Sequence, residues 1–511
     1  MSRAGRGAKG RPFEFRLLEN TGPQAAPLYA QLYRQLRDHI LTGALGPGAR
    51  LPSARMMASD LDLSRNTVEA AYMQLQSEGF IERRVGTGTM VAASVTEVAP
   101  FRGPPALRDF AQARPTPPVK FSPPVVLSDR GRLLSELGCT EIQVDQRSWP
   151  CATDVHGIPL ALWNRLVARQ ARRGGVSLLR HGDPQGHPLL RQAIAEHARL
   201  TRGVQCDASQ VVVVNSTQQA IDLATRLLLD PGQRAFVEEP GYPSGVGAFL
   251  GAGAVIHPVP VDEDGLMTDQ LPRDAVPALL YVTPSHQFPL GVTMALARRL
   301  AALRWAAETG SWILEDDYDS EFRYDGRPIA ALQGLDRAGR VLYLGTYNKV
   351  LFPGLRLAYL IVPGTLVDPF VGARRLIDGA PSPLLQSVLA EFLTGGYLAA
   401  HLRQARQHNT LRRDRLFRAI ETHWGAAVRL GPAGTGLHLV CHLEPGVDDD
   451  RITRSATPGA GLSWSPLSRY YAGQARRSGL VLSYGASVAE EIESAVAALV
   501  ANVTRPSARP R

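Results

Sequence analysis

Lys349 stands in the stretch YLGTYNKVLFPGLRLAYL (343–360), with one arginine, Arg356, seven positions later. Of the 56 Lys and Arg residues in the chain, the lysines are Lys9, Lys120 and Lys349, and every other one is an arginine. Whatever keeps position 349 a lysine is therefore not a need for positive charge. An amine that attacks a carbonyl must first lose its proton. A desolvated lysine can do so, whereas a guanidinium, with a pKa above ~12, cannot. Lys349 is the candidate for imine chemistry.

Lysine is also the residue that holds pyridoxal phosphate as a Schiff base, and that cofactor requires further groups. A carboxylate must keep the ring nitrogen protonated. SWILEDDYDSEF (311–322) supplies acids just past an apolar strand, with Tyr318 placed to hydrogen-bond the ring hydroxyl. The phosphate needs donors. NSTQQAIDLATRLLL (215–229) sets Ser216, Thr217 and Gln218 at a helix N-terminus, where open N–H groups and the dipole attract anions. Arg356 adds a charge-assisted bond. EEPGYPSG (238–245) offers Tyr242 in a turn as a stacking face.

The elements that must position these residues alternate. Short apolar strands at VVVVN (211–215), RAFVEEP (234–240), ALLYVTP (278–284), SWILEDD (311–317) and RVLYLGT (340–346) are separated by helical stretches. Strands buried on both faces with helices between them predict a doubly wound α/β sheet. Ahead of it, Leu28, Leu32, Leu36 and Ile40 predict a helix that stops at Gly43. GALGPGARLP is a turn-rich connection, a short helix spans 53–60, and Ser64 caps another that buries Val68, Tyr72 and Leu75. FIERRVGTGTMVAA reads as two strands joined by a Thr-Gly turn. Three helices and a two-stranded wing form a winged helix-turn-helix, in which Arg65, Asn66 and Thr67 enter the major groove. Arg55 opens the preceding helix, and Arg83, Arg84, Thr87 and Thr89 decorate the wing. Prolines 100, 104, 105, 115, 117, 118, 123 and 124 mark an extended linker. The expected domains are a mobile basic arm (1–24), the DNA-binding domain (25–93), the linker (94–135) and the α/β body (136–511).

Composition agrees with an ordinary soluble chain of at least two domains: 511 residues, 44% hydrophobic and 20% charged. No apolar run reaches the ~18–20 residues that span a bilayer, and the basic start has no apolar core of a secretory signal. Four scattered cysteines without C-x-x-C spacing argue against a zinc site or a disulfide frame and fit the cytoplasm. The net charge of +9 is compatible with nucleic acid.

Residues 27–91 resemble the GntR-type DNA-binding domain, with L-P-S-x-R, S-R-N-T-V and G-x-G-T in that family's order. LRHGDPQGHPLLRQAIAEH, TPSHQFPLG, EDDYDSEFRYDGRPIAALQGLD and GTYNKVLFPGLRLAY resemble the fold-type I aminotransferases, and more narrowly the MocR/GabR regulators, which fuse the two. The resemblance implies an α+β winged helix-turn-helix followed by an α/β body with a smaller C-terminal α+β subdomain. It implies pyridoxal 5′-phosphate on Lys349, Asp316 at the pyridine nitrogen, Tyr318 at the ring hydroxyl and Tyr242 as stacking ring. Thr217, Gln218, Thr346 and Arg356 would hold the phosphate. The expected partners are a double-stranded DNA operator, a small amine or amino-acid effector captured as an external aldimine, and a second copy in a homodimer. An active class I/II aminotransferase carrying a DNA-binding domain is the alternative, and a cofactor-free scaffold the third. Departures bear on turnover: His181 replaces a tyrosine, Asn348 a serine, and Gln287-Phe288 stand where aminotransferases have asparagine. Leu480 occupies the place expected of the substrate-carboxylate arginine, which leaves Arg469 as the candidate effector ligand.

Overall fold

A computed structural model describes residues 2–3, 17–18, 27–84, 88–93, 127–142, 153–274, 277–326, 329–455 and 462–503. The chain forms two compact units, Met1–Pro123 and Pro124–Arg511.

In the front unit, helices α1 (Leu28–Leu41), α2 (Ala54–Leu61) and α3 (Arg65–Ser77) enclose one apolar cluster. The four-residue spacing of Leu32, Leu36 and Ile40 lays one face of α1 on Val68, Tyr72 and Leu75 of α3. The starts of α2 and α3 are fixed by Ser53, which accepts from Met56 N at 3.2 Å, and Ser64, which accepts from Thr67 N at 3.1 Å. Such a cap is worth about 1 kcal/mol. The wing strands β2 (Ile81–Arg84) and β3 (Gly88–Val91) pair antiparallel, and β3 also pairs with β1 (Arg50–Leu51). The sequence showed β1 only as part of a turn-rich connection, because two residues are too few for alternation to register. Of the expected basic arm, Ser2–Arg3 pairs with Leu17–Leu18; the rest of it lies outside the described residues.

The rear unit is built on a sheet of eight strands among the described residues: β4 (Val211–Val214), β5 (Arg234–Glu239), β6 (Val255–Asp262), β7 (Gly265–Leu266), β8 (Leu279–Val282), β9 (Trp312–Asp317), β10 (Val341–Thr346) and β11 (Ala358–Ile361). Their spatial order is β4-β11-β10-β9-β8-β5-β6-β7. Strands β6, β5, β8, β9 and β10 run parallel. β11 is antiparallel to both of its neighbours, so the sheet is mixed rather than wholly parallel. Apolar clusters cover both faces, which is why β4 reads as four valines without alternation.

A smaller antiparallel sheet follows: β12 (Arg429–Leu430), β13 (His438–His442), β14 (Ser463–Pro466) and β15 (Gly479–Ser483), in the order β12-β13-β15-β14. Helices Tyr397–His423 and Ile492–Val503 pack with it around a third cluster. The expected linker needs one correction. Residues 129–135 belong to a helix, Asp129–Ile142, that lies on the helix Pro243–Ala252. Gly251 permits that approach, since a Cβ there would stand 2.9 Å from Leu134. The linker's remaining residues up to 126 lie outside the described residues.

Candidate functional site

Three acids end β9, and alternation along the strand separates them. Glu315 accepts backbone N–H bonds from Leu332 (2.7 Å) and Gln333 (2.8 Å). Asp317 pairs with Arg202 at 2.6 Å and accepts from the Tyr343 hydroxyl at 2.5 Å. Asp316, on the opposite face of the strand, has only a neutral partner for Oδ2, the Tyr281 hydroxyl at 2.6 Å. Its Oδ1 is buried with no hydrogen-bond partner among the described residues. Asp317 Oδ1 shares that condition, but the charge of Asp317 is already met by a guanidinium. Of the three acids, Asp316 is thus the one with neither a cation nor a partner for its second oxygen among the described residues. Adjacent acids that chemistry could not rank from sequence are distinguished here by which face each occupies.

Lys349 lies half-buried in the turn between β10 and β11. Its carbonyl accepts from Thr153 Oγ1 at 3.0 Å, and the Val350 carbonyl accepts from His401 Nε2 at 2.9 Å. Beside Thr153, Asp154 pairs with Arg412 at 2.7 Å. Asn348 N donates to Thr346 Oγ1 (3.2 Å), and Asn348 Oδ1 accepts from Leu357 N (3.3 Å), which closes the turn from within. Arg356 holds a left-handed backbone at φ 53°, a conformation that costs a non-glycine residue roughly 1 kcal/mol and so marks a place where the chain is held by its surroundings.

Thr217 and Gln218 open the helix Thr217–Leu228, capped by Ser216, whose Oγ accepts from Gln219 N at 3.1 Å. Gln218 Nε2 donates to the Ser244 carbonyl, and Gln218 Oε1 is buried without a hydrogen-bond partner among the described residues. Tyr242 precedes the helix Pro243–Ala252 and meets Phe288 edge-on at 5.9 Å. Phe288 is the hub of an aromatic wall, also touching Tyr318 (5.9 Å), His438 (5.5 Å) and Tyr470 (5.3 Å). In the sequence it registered only as a missing asparagine. His286, Asp319 and His438 were missed altogether, because 33 residues separate the first two and no short motif joins them.

Leu480 does not face the aromatic wall: it packs with Leu439, Cys441 and Leu482 against the helices of the small domain. The alternation of β15 puts Val481 instead in the cluster that holds Phe288 and Tyr470. Arg469 is directed to Asp450, 3.7 Å away on the surface. Its neighbour Tyr470 makes the link to the site, its carbonyl accepting from Gly241 N at 2.9 Å.

In the front unit, Arg55, Arg65 and Asn66 are exposed at the starts of α2 and α3. Thr67 is half-buried, its hydroxyl 2.7 Å from the capping Ser64 Oγ. Arg83 is engaged inside the unit, paired with Glu69 at 2.5 Å and lying over the Tyr72 ring, so it fixes the wing to α3. Thr87 lies outside the described residues, as does the Arg84 side chain.

Burial raises Glu238, Glu315 and Asp316 each to about 7. A carboxyl whose folded pKa lies above its unfolded value keeps its proton in the native state while the unfolded chain has released it. Its contribution to stability is present below the unfolded value, near ~4, and is lost as pH rises through about 7. The cofactor-free protein is expected to melt several degrees lower at pH 8 than at pH 5, measured by calorimetry. Glu238→Gln is expected to flatten that slope.

Comparison with known proteins agrees with this geometry. Residues 163–445 match the aminotransferase class I and II family, and residues 28–91 the bacterial regulatory proteins of the gntR family. The chain is 39% identical to the probable rhizopine catabolism regulatory protein MocR of Rhizobium meliloti over 90% of each chain. It is 30% identical to the pyridoxine biosynthesis transcriptional regulator PdxR of Corynebacterium glutamicum, over 89% of this chain and 91% of that one. Among solved structures, a kynurenine aminotransferase from Pyrococcus horikoshii in complex with PMP superposes with a TM-score of 0.65 at 25% identity. That match covers 75% of this chain and 96% of the other.

Proposed function

The chain belongs to the MocR/GabR family of transcriptional regulators, and on that premise we propose that it senses a small amine through its cofactor and passes the result to DNA. Its cofactor is pyridoxal 5′-phosphate, which supplies an aldehyde for imine exchange and a ring that withdraws electrons. Lys349 would hold that aldehyde, and an effector amine would compete with it for the same carbon. Asp316 would keep the pyridine nitrogen charged, Tyr318 would donate to the ring oxygen, and Tyr242 would stack on the ring. Thr217, Gln218, Thr346 and Arg356 would hold the phosphate. Two copies present paired readers to an operator in the cytoplasm.

The observation that carries this reading is Asp316, a buried acid that has, among the described residues, an unmet oxygen and no cation of its own. Regulation rather than turnover is favoured by strand β15, which offers no arginine: Val481 belongs to the cluster that holds Phe288 and Tyr470, and Leu480 to that of the small domain. The effector shifts operator affinity only by as much as it binds the two arrangements differently.

The test is a titration of cofactor-loaded protein with candidate amines and amino acids, read by the imine absorption band and by operator affinity on the same samples. The expected result is a spectral change that saturates together with a change in DNA affinity. Steady release of a keto acid from an amino donor would instead establish the aminotransferase.

A further inference from the structure

A buried pair beside the site has no role in the reading above. His286 and Asp319 are 2% and 1% exposed. Nδ1 of His286 stands 3.0 and 3.1 Å from the two carboxylate oxygens of Asp319, and 2.9 Å from the Tyr318 hydroxyl. One ring nitrogen therefore meets three oxygens, and it carries at most one proton.

Two arrangements satisfy these distances, and they differ in cost. If Nδ1 lacks its proton, Tyr318 donates into it, and the Asp319 carboxylate faces a lone pair in a water-free place. If Nδ1 carries its proton, Asp319 accepts it, Tyr318 lies at the same N–H as a second acceptor, and no like-signed pair is left buried. The second arrangement is favoured, because a buried carboxylate without a donor is among the costliest states a core can hold. With the phenol oxygen accepting from His286, the phenol's own proton is directed to a different acceptor.

The surroundings show that the imidazole slot is built. Gly436 and Gly291 wall it, both at positive φ (89° and 76°). A Cβ on Gly436 would lie 2.0 Å from His286 Cε1, and one on Gly291 3.4 Å from Nε2. Nε2 itself is buried with no hydrogen-bond partner among the described residues. Across the slot His438 lies 5.0 Å away, ring centre to ring centre, and its Nε2 donates to the Pro289 carbonyl at 2.9 Å. Burial, with His286 and Lys349 nearby, pushes His438 down to about 3, so it stays neutral and brings no second charge to the slot. The groups facing His286 are thus Asp319, Tyr318 and a neutral His438.

We propose that His286, held by Asp319 in its Nδ1-protonated form, is a positioning residue that makes Tyr318 a one-way hydrogen-bond donor to the ring oxygen of the bound cofactor. This deepens the functional reading and rests on it only in requiring that the cofactor be bound. A donor at the ring oxygen favours its deprotonated form, so the midpoint of the spectral pH titration of loaded protein reports the contact directly.

The experiment uses the full chain with pyridoxal phosphate and measures that midpoint, the cofactor dissociation constant and the melting temperature for each variant. Tyr318→Phe is expected to raise the midpoint by about one pH unit, a tenfold change in the proton equilibrium. His286→Leu and Asp319→Asn are expected to move it the same way. Adding Asp319→Asn to Tyr318→Phe is expected to move it no further, since both act through one bond. His286→Asn, whose amide can supply an N–H close to that of Nδ1, is expected to restore the original midpoint. The proposal is overturned if His286→Asn raises the midpoint as much as His286→Leu does. It is equally overturned if Asp319→Asn lowers the melting temperature while leaving the midpoint in place, or if the double variant is additive. Unsubstituted protein that shows the band but no effector response would sink the sensing reading alone, and protein with no band would sink both.

Discussion

Lys349→Ala protein, loaded with pyridoxal phosphate and treated with borohydride, is expected to carry no pyridoxyl label in its rear unit and to show no imine band. The reasoning is one of numbers as well as chemistry. Lys349 is the single lysine beyond position 120, so no neighbouring amine can substitute for it. Lys349→Arg is the sharper variant, because it retains the positive charge near His438 but holds its proton at every accessible pH. Both variants are expected to lose the effector response entirely. Operator affinity without effector is expected to stay within about twofold, since the caps and apolar face of α3 lie in a separate compact unit. A loss of basal DNA binding in Lys349→Arg would contradict the division of labour between the units.

The second large effect is expected at Arg65. It opens α3 with an exposed side chain, one residue after the capping serine, at the end of the helix that a winged helix-turn-helix inserts in the major groove. Arg65→Ala is expected to weaken operator binding roughly 10–100-fold, the range for one lost arginine contact to a base edge. The absorption spectrum and the melting temperature of the loaded protein are expected not to move. Arg83→Ala provides the contrast. Its guanidinium is engaged with Glu69 and the Tyr72 ring, so its loss is expected to loosen the wing and lower the front unit's stability as well as its affinity. A spectral change in Arg65→Ala, read in the same cuvette, would undo the assignment of α3 to DNA alone.

What the sequence revealed followed the reach of its periodicities. The five apolar strands and the leucine spacing of α1 could be read directly, because burial on one or both faces is written locally into the chain. β11 was not among them, and its antiparallel direction could not be read, since AYLI is as apolar as the parallel strands of the sheet and direction depends on the connection. The choice of Asp316 over Asp317 came from resemblance; the spatial feature that separates the two acids is Arg202, 115 residues away from Asp317, which it neutralises. The face that Leu480 occupies was not legible either, because a five-residue apolar run such as GLVLS does not say which of its faces looks toward the larger domain. Likewise the helix Asp129–Ile142 was absorbed into a linker defined by prolines that end just before it.

The bond from Thr153 to the carbonyl of Lys349 fastens the peptide that bears the lysine to a segment 196 residues earlier in the chain. Thr153 is the first described residue after position 142, and Asp154, next to it, is anchored through Arg412 to the long helix of the small domain. A shift of the Lys349 peptide must therefore either stretch this fastening, worth about 1 kcal/mol, or move Thr153 and the anchored Asp154 with it.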